Sequence, residues 1–253
     1  MTCLLIDIGN SRIKWGTDSV KGFEFGGSCD SHVAQVEQLF AQFWNQLRPE
    51  HIFISCVGDM AVQQRIFEMA QARWDVQTES LVSPKQENGI TNIYDSPEKL
   101  GSDRWAAMVG AFKQFEGAVC VVDCGTAVTL DVINYAGHHL GGLIIPGNGL
   151  MQDCLSGGTL LDFHESKHRL GPNHLGKSTE QCIQLGTISA IGNMIDGTFN
   201  DLSEGLDTLT MVLTGGDVDL IEPVLKNEHV ISPHLVLQGL AEIHRARYAV
   251  ASS

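Results

Sequence analysis

Two short apolar runs stand out along the chain, residues 3–8 (CLLIDI) and 119–123 (VCVVD), each rich in branched side chains and each meeting an aspartate and then a glycine. Runs of this kind predict strands. The first continues Asp7-Ile8-Gly9-Asn10-Ser11-Arg12-Ile13-Lys14 and the second Asp123-Cys124-Gly125-Thr126-Ala127-Val128-Thr129-Leu130. Both read as strand, tight turn at D-x-G, strand: one device used twice. Further strands are expected at 23–26, 51–57, 139–145 and 209–214, the last running into Gly215-Gly216. Helices are expected at 32–47, 60–73, 97–115, 149–162, 178–204 and 234–248, with Ser96-Pro97 as cap and first turn of the third. The order β-β-β-α-β-α, then β-β-β-α-α-β-α, predicts a duplicated α/β unit, with residues 1–117 as one domain and 118–253 as the other.

Composition narrows the classes of partner. The chain has 253 residues, 43% hydrophobic and 18% charged, an ordinary globular balance. Its net charge of −14 opposes general binding to nucleic acid or an anionic membrane. A phosphate site therefore has to be local, built from backbone N–H groups, a helix N-terminus, a few cations or a metal. Seven cysteines without a C-x-x-C pair, an opening strand without a secretion-signal pattern, and the absence of an 18-residue apolar run lead to the expectation of a reduced, cytoplasmic protein. Cys120 and Cys124 read as core residues in different environments.

A hairpin after D-x-G presents backbone amides and a hydroxyl at its tip, with the aspartate at the strand end facing the same space. Two such hairpins facing each other across a cleft, with Lys14 on the first, suit a triphosphate and its metal; a plain turn is the alternative at either one. Thr214-Gly215-Gly216 offers backbone without a Cβ for a nucleotide base or ribose to approach. In Leu100-Gly101-Ser102-Asp103-Arg104, an acid beside a guanidinium at a helix start suits a proton acceptor paired with an anion-binding group, against the alternative of a solvated first turn.

Two formal motifs are set aside on context. Gly171 to Ser178 matches G-x-x-x-x-G-K-[ST], but the preceding segment is too polar for the buried strand a P-loop must follow. His164, Glu165 and His168 match H-E-x-x-H, yet Lys167, Arg169 and the Gly171-Pro172 break make a surface loop the better reading.

Taken together, Asp7-x-Gly9-Asn10-Ser11-x-x-Lys14-Trp15, Tyr94 with Pro97-x-x-Leu100-Gly101-x-Asp103-Arg104, Asp123-x-Gly125-Thr126-Ala127-x-Thr129, Gly141-Gly142-x-Ile144-x-Pro146-Gly147 and Thr214-Gly215-Gly216 resemble the type III pantothenate kinase family nearly end to end. The resemblance implies the duplicated two-domain α/β architecture of acetate kinase, sugar kinases, Hsp70 and actin, with a central cleft. It implies ATP-dependent phosphorylation of pantothenate to 4'-phosphopantothenate, the first step of coenzyme A biosynthesis, using magnesium and a monovalent cation, potassium or ammonium. By the same resemblance Asp7, Ile8, Gly9, Asn10, Ser11, Arg12, Ile13 and Lys14 hold the ATP phosphates, with Thr126 contacting nucleotide. Asp123 binds the monovalent cation, and Tyr94, Gly101, Ser102, Asp103, Arg104 and Thr179 surround pantothenate. Asp103 is the implied general base, and a homodimer is implied, with helix 178–204 a candidate contact. Ser11 stands where the family commonly has threonine, and the histidine-rich stretch 164–177 departs from the pattern. The competing readings are a catalytically inactive homologue serving as an accessory or regulatory protein, a P-loop NTPase and a zinc hydrolase.

Overall fold

The computed structural model describes residues 2–76, 78–158 and 175–249. Two compact units account for the chain: Met1–Gln114 with Ala136–His139 and His234–Ser253, and Phe115–Tyr135 with Leu140–Pro233. Residues 234–249, assigned from the sequence to the second domain, therefore pack in the first.

In chain order the first unit contains β1 (Cys3–Ile8), β2 (Arg12–Ser19), β3 (Gly22–Asp30), α1 (Val33–Gln38), β4 (His51–Cys56), α2 (Met60–Trp74), β5 (Thr78–Ser80), a small ribbon of β6 (Gln86–Glu87) and β7 (Ile90–Thr91), and α3 (Ser102–Gln114). The second contains β8 (Ala118–Cys124), β9 (Ala127–Ile133), β10 (His139–Pro146), α4 (Asn148–Gly158), α5 (Thr179–Ser203), β11 (Leu209–Thr214), α6 (Val218–Ile221) and β12 (Val230–Ile231). The closing helix α7 (Leu235–Ala249) lies against α3.

The two main sheets repeat one another, with strand orders β3-β2-β1-β4-β5 and β10-β9-β8-β11-β12. In each, the central strand pairs antiparallel with the strand after its D-x-G turn and parallel with a later strand. Such a central strand is covered on both faces and reads as a continuous apolar run, which explains why CLLIDI is buried at every position. Leu4, Ile6 and Ile8 join Ile13, Trp15, Ile52 and Ile54 under α1 and α2. The period of two then puts Leu5 and Asp7 on the opposite face. In the second unit Cys120, Val122 and Cys124 meet Ile188, Ile191 and Ile195 of α5 in one core. Cys120 and Cys124 thus share an environment, because residues four apart on a strand face the same way.

α3 and α7 pack with their backbones nearly touching: a Cβ on Gly239 would lie 1.8 Å from the carbonyl oxygen of Ala106, and one on Gly110 would lie 2.7 Å from that of Leu235. That crossing holds the end of the described chain in the first unit. The helix expected over 97–115 is two elements, a 3₁₀ turn at Pro97–Lys99 and α3 from Ser102. Leu100 between them is extended, and Ser96 makes no side-chain cap. The expected helix over 32–47 is α1 followed by a π-helical turn, Leu39–Phe43. The edge strands β5 and β12 are three and two residues long, too short for periodicity to register.

Candidate active site

In the first hairpin Gly9 N–H donates to the Arg12 carbonyl at 2.9 Å, closing the turn, while Asn10, Ser11 and Arg12 are exposed at its tip. Asp7 and Lys14 are register partners across β1 and β2, so their opposite charges share one face of the sheet. On the other side of β1 the partner of Asp7 is Ser55. Asp7 is only 6% exposed. The Arg12 guanidinium turns back onto β3, donating to Ser28 Oγ at 2.6 Å and pairing with Asp30 at 3.7 Å. The loop after β4 presses on the same turn. Val57 and Gly58 N–H groups both reach the Ile8 carbonyl at 3.0 Å, and a Cβ on Gly58 would lie 2.3 Å from the Gly9 carbonyl oxygen.

The start of α3 is anchored at this same end of the sheet. Ser102 Oγ lies 3.0 Å from Ser55 Oγ and accepts the Cys56 N–H at 3.2 Å. Asp103, half-buried in the first turn of α3, accepts from Arg104 N–H at 2.7 Å. A first-turn carboxylate is favoured by the helix dipole. Arg104 is buried and donates from Nη1 to the Tyr94 hydroxyl at 3.1 Å. Tyr94 in turn lies parallel to the His139 ring, centroids 6.0 Å apart. Asn92 shapes the loop that carries Tyr94, accepting Tyr94 N–H at 3.0 Å and donating to the carbonyls of Pro84 and Pro97. The Cys56 thiol is pushed up chiefly by burial and then by Asp7, Asp59 and Asp103, against a lowering hydrogen bond at Gly58. One side chain therefore feels both Asp7 and Asp103.

The second hairpin is built alike. Gly125 N–H donates to the Ala127 carbonyl at 3.1 Å, Asp123 lies opposite Thr129 and beside Thr214, and Thr126 is exposed at the tip. Two glycines hold it. Gly147 N–H donates to the Thr126 carbonyl at 2.9 Å, and a Cβ on Gly147 would lie 2.1 Å from the Gly125 carbonyl oxygen. Gly215, at φ +105°, would bring a Cβ within 2.5 Å of Asp123 Oδ1. Among the described residues no group of three or more His, Cys, Asp or Glu side chains is placed to hold a metal. A cation at Asp123 would accordingly draw some of its ligands from side-chain hydroxyls, main-chain carbonyls or water, oxygen donors of the type potassium accepts.

Thr179 is the first residue of α5, whose cap is Ser178, accepting Gln181 N–H at 3.3 Å. It lines a cavity of about 860 Å³ in the second unit with Met151, Lys177, Cys182 and Ile183. The structure thus gathers Asp7–Lys14, Tyr94 and 101–104 in the first unit and Asp123, Thr126 and Thr179 in the second. The H-E-x-x-H match at His164, Glu165 and His168, and the first half of the P-loop match, Gly171 to His174, lie outside the described residues. Sequence reading overlooked Ser55, Gly58, Asn92 and His139; only the paired His138-His139 at a strand start offered a signal.

A sequence model described as type III pantothenate kinase matches residues 3–201. Curated relatives of that name include one from Nitrosococcus oceani, 34% identical over 95% of this chain and 92% of its own. Another, from Dechloromonas aromatica, is 34% identical over 94% and 97%. Among solved structures, a protein of Campylobacter jejuni described as a Baf family transcriptional activator superposes with TM-score 0.61 at 20% identity, covering 97% of this chain and 99% of that one. MreB 5 of Spiroplasma citri, bound to AMPPNP, superposes at 0.50 and 9%, covering 99% and 98%. At these identities the structural likeness speaks for the duplicated actin-like fold alone.

Proposed function

The chain belongs to the type III pantothenate kinase family, and on that premise we propose how its residues phosphorylate pantothenate with ATP. The observation that carries the reading is the convergence of Asp7 and Asp103 at one end of the first sheet: Asp7 neighbours Ser55, Ser55 meets Ser102, and Cys56 responds to both carboxylates.

The segment Asp7, Ile8, Gly9, Asn10, Ser11, Arg12, Ile13 and Lys14 takes the ATP phosphates, with the exposed tip supplying main-chain donors and Lys14 supplying charge. The buried carboxylate of Asp7, beside Lys14, would hold hydrated magnesium, which would supply neutralisation of charge on the phosphoryl group. Thr126 contacts nucleotide from the second hairpin. Tyr94, Gly101, Ser102, Asp103, Arg104 and Thr179 surround pantothenate. The Ser102 hydroxyl is committed to β4, which leaves its share to the main chain. Arg104, always cationic and held by Tyr94, suits the pantothenate carboxylate.

The primary hydroxyl of pantothenate attacks the γ-phosphorus in line, the bond to the β–γ bridging oxygen breaks, and ADP leaves. Asp103 accepts the hydroxyl proton. The protein's part is mainly position and charge. Asp123 holds the monovalent cation, the working form is a homodimer contacting through α5, and the enzyme is cytoplasmic. Free cysteines and the lack, among the described residues, of a helix able to cross a membrane support the last point.

The test is a coupled assay of ADP release with pantothenate, magnesium and potassium, on the wild type and Asp103→Asn. Pantothenate-dependent turnover that needs the cation and collapses in the variant is expected. ATP binding without turnover in the wild type would overturn the reading in favour of a regulatory homologue.

A further inference from the structure

β4 outlasts its outer neighbour. β5 pairs with Ile52 to Ile54, and the bond from Leu81 N–H to the Ile54 carbonyl, 2.7 Å, is the last rung. Along a parallel strand, successive N–H groups point to opposite neighbours. Val57 N–H reaches Ile8 on β1, so Cys56 N–H points to the side that β5 has left. A buried donor there must find another acceptor. Ser102 Oγ supplies it at 3.2 Å, with Ser55 Oγ 3.0 Å and the Cys56 carbonyl 3.5 Å away. Ser55 is 0% and Ser102 7% exposed. The first residue of α3 thus stands where a longer β5 would run, and the next residue is Asp103. Because adjacent register partners share a face, Ser55 and Asp7 point to the same side of the sheet.

We propose that Ser55 is a positioning residue for phosphoryl transfer: through the Ser102 hydroxyl it holds the α3 start, and with it the Asp103 carboxylate, beside Asp7. The inference rests on Asp103 being the general base. Ser55 is closed off from solvent and acts only through its neighbour. Small displacements of a positioned group lower the rate without weakening binding. The signature is a fall in kcat at unchanged KM.

Ser55→Ala is expected to lower kcat about 5- to 10-fold, with KM for ATP and for pantothenate within about twofold of wild type, and to move the acid limb of the kcat–pH profile. Ser102→Ala should do the same, and the double variant should lose no more than the worse single one, since both remove one link. Should Ser55→Ala not fold, Ser55→Cys fills the site with a slightly larger side chain that is only a weak donor and is read in the same assay. Wild-type kcat and pH profile with a lowered melting temperature, or additive losses in the double variant, would overturn the proposal. Asp103→Asn, run alongside, separates the two readings. Retained turnover there removes the base assignment, whereas collapse there with wild-type kinetics in Ser55→Ala removes only the role of Ser55.

Discussion

Gly58 lies so close to Gly9 that an added Cβ would sit 2.3 Å from the Gly9 carbonyl oxygen, and in the second unit Gly215 stands similarly close to the other turn, its added Cβ 2.2 Å from the carbonyl oxygen of Cys124, the residue before Gly125. Each glycine follows the strand that pairs parallel with the strand leading into a D-x-G turn. The two D-x-G hairpins therefore have one construction: a tight turn closed by its own hydrogen bond and backed by a second backbone without a side chain.

Gly58→Ala should push the Gly9 peptide out of place. The expected result is a rise of several-fold in KM for ATP, a smaller change in KM for pantothenate, and a loss of about 1–3 kcal/mol of stability from overpacking. Steady-state kinetics and thermal melting check it; an unchanged KM for ATP would contradict the bracing role.

Asp103→Asn keeps the size of the side chain and its ability to accept Arg104 N–H, but not its basicity. Turnover should fall by about 10²- to 10⁴-fold, the range a positioned base contributes. ATP affinity by calorimetry should remain that of the wild type.

His244 supplies a pH dependence unrelated to catalysis. It is buried beside His51, Phe53 and Tyr248, and its imidazole is held below the ordinary 6.5, first by burial and then by His51, with Asp18 and Glu79 opposing and Arg245 adding to the fall. Above 6.5 neither folded nor unfolded chain carries the proton, and the full stability is present. As pH drops below that value the unfolded chain binds a proton that the native state resists, so stability is lost toward the lower folded value. Urea midpoints between pH 7.5 and 5.5 should decline, and His244→Leu should flatten the decline.

The cysteines should divide by burial. Cys120 and Cys124 are pushed up to about 12, chiefly by burial, and Cys3 is also raised, whereas Cys154 and Cys182 are exposed. Thiolate is the reactive form. A thiol reagent at pH 8 should label Cys154 and Cys182 rapidly and Cys3, Cys120 and Cys124 only on unfolding, with the half-buried Cys29 and Cys56 between them, as mass mapping of the labelled peptides would reveal.

What the sequence determined by itself was whatever is encoded in contiguous residues. Consecutive apolar side chains in CLLIDI and AVCVVDC require a strand covered on both faces, and D-x-G requires a tight turn after it, so both hairpins, the repeat and Asp7, Lys14, Asp103, Asp123 and Thr126 were legible as candidates. The start of α3 was misplaced because Ser96-Pro97 opens a separate turn, and local cap chemistry does not show that Leu100 stays extended. Only the tertiary structure decided that residues 234–249 pack in the first unit, since Gly110 and Gly239 meet across 129 residues of chain. It alone brought Ser55 to Ser102 and Gly58 to Gly9, pairs separated by 47 and 49 positions. A buried hydroxyl or a missing Cβ leaves no periodic trace, because its meaning lies in which atom the fold places opposite it.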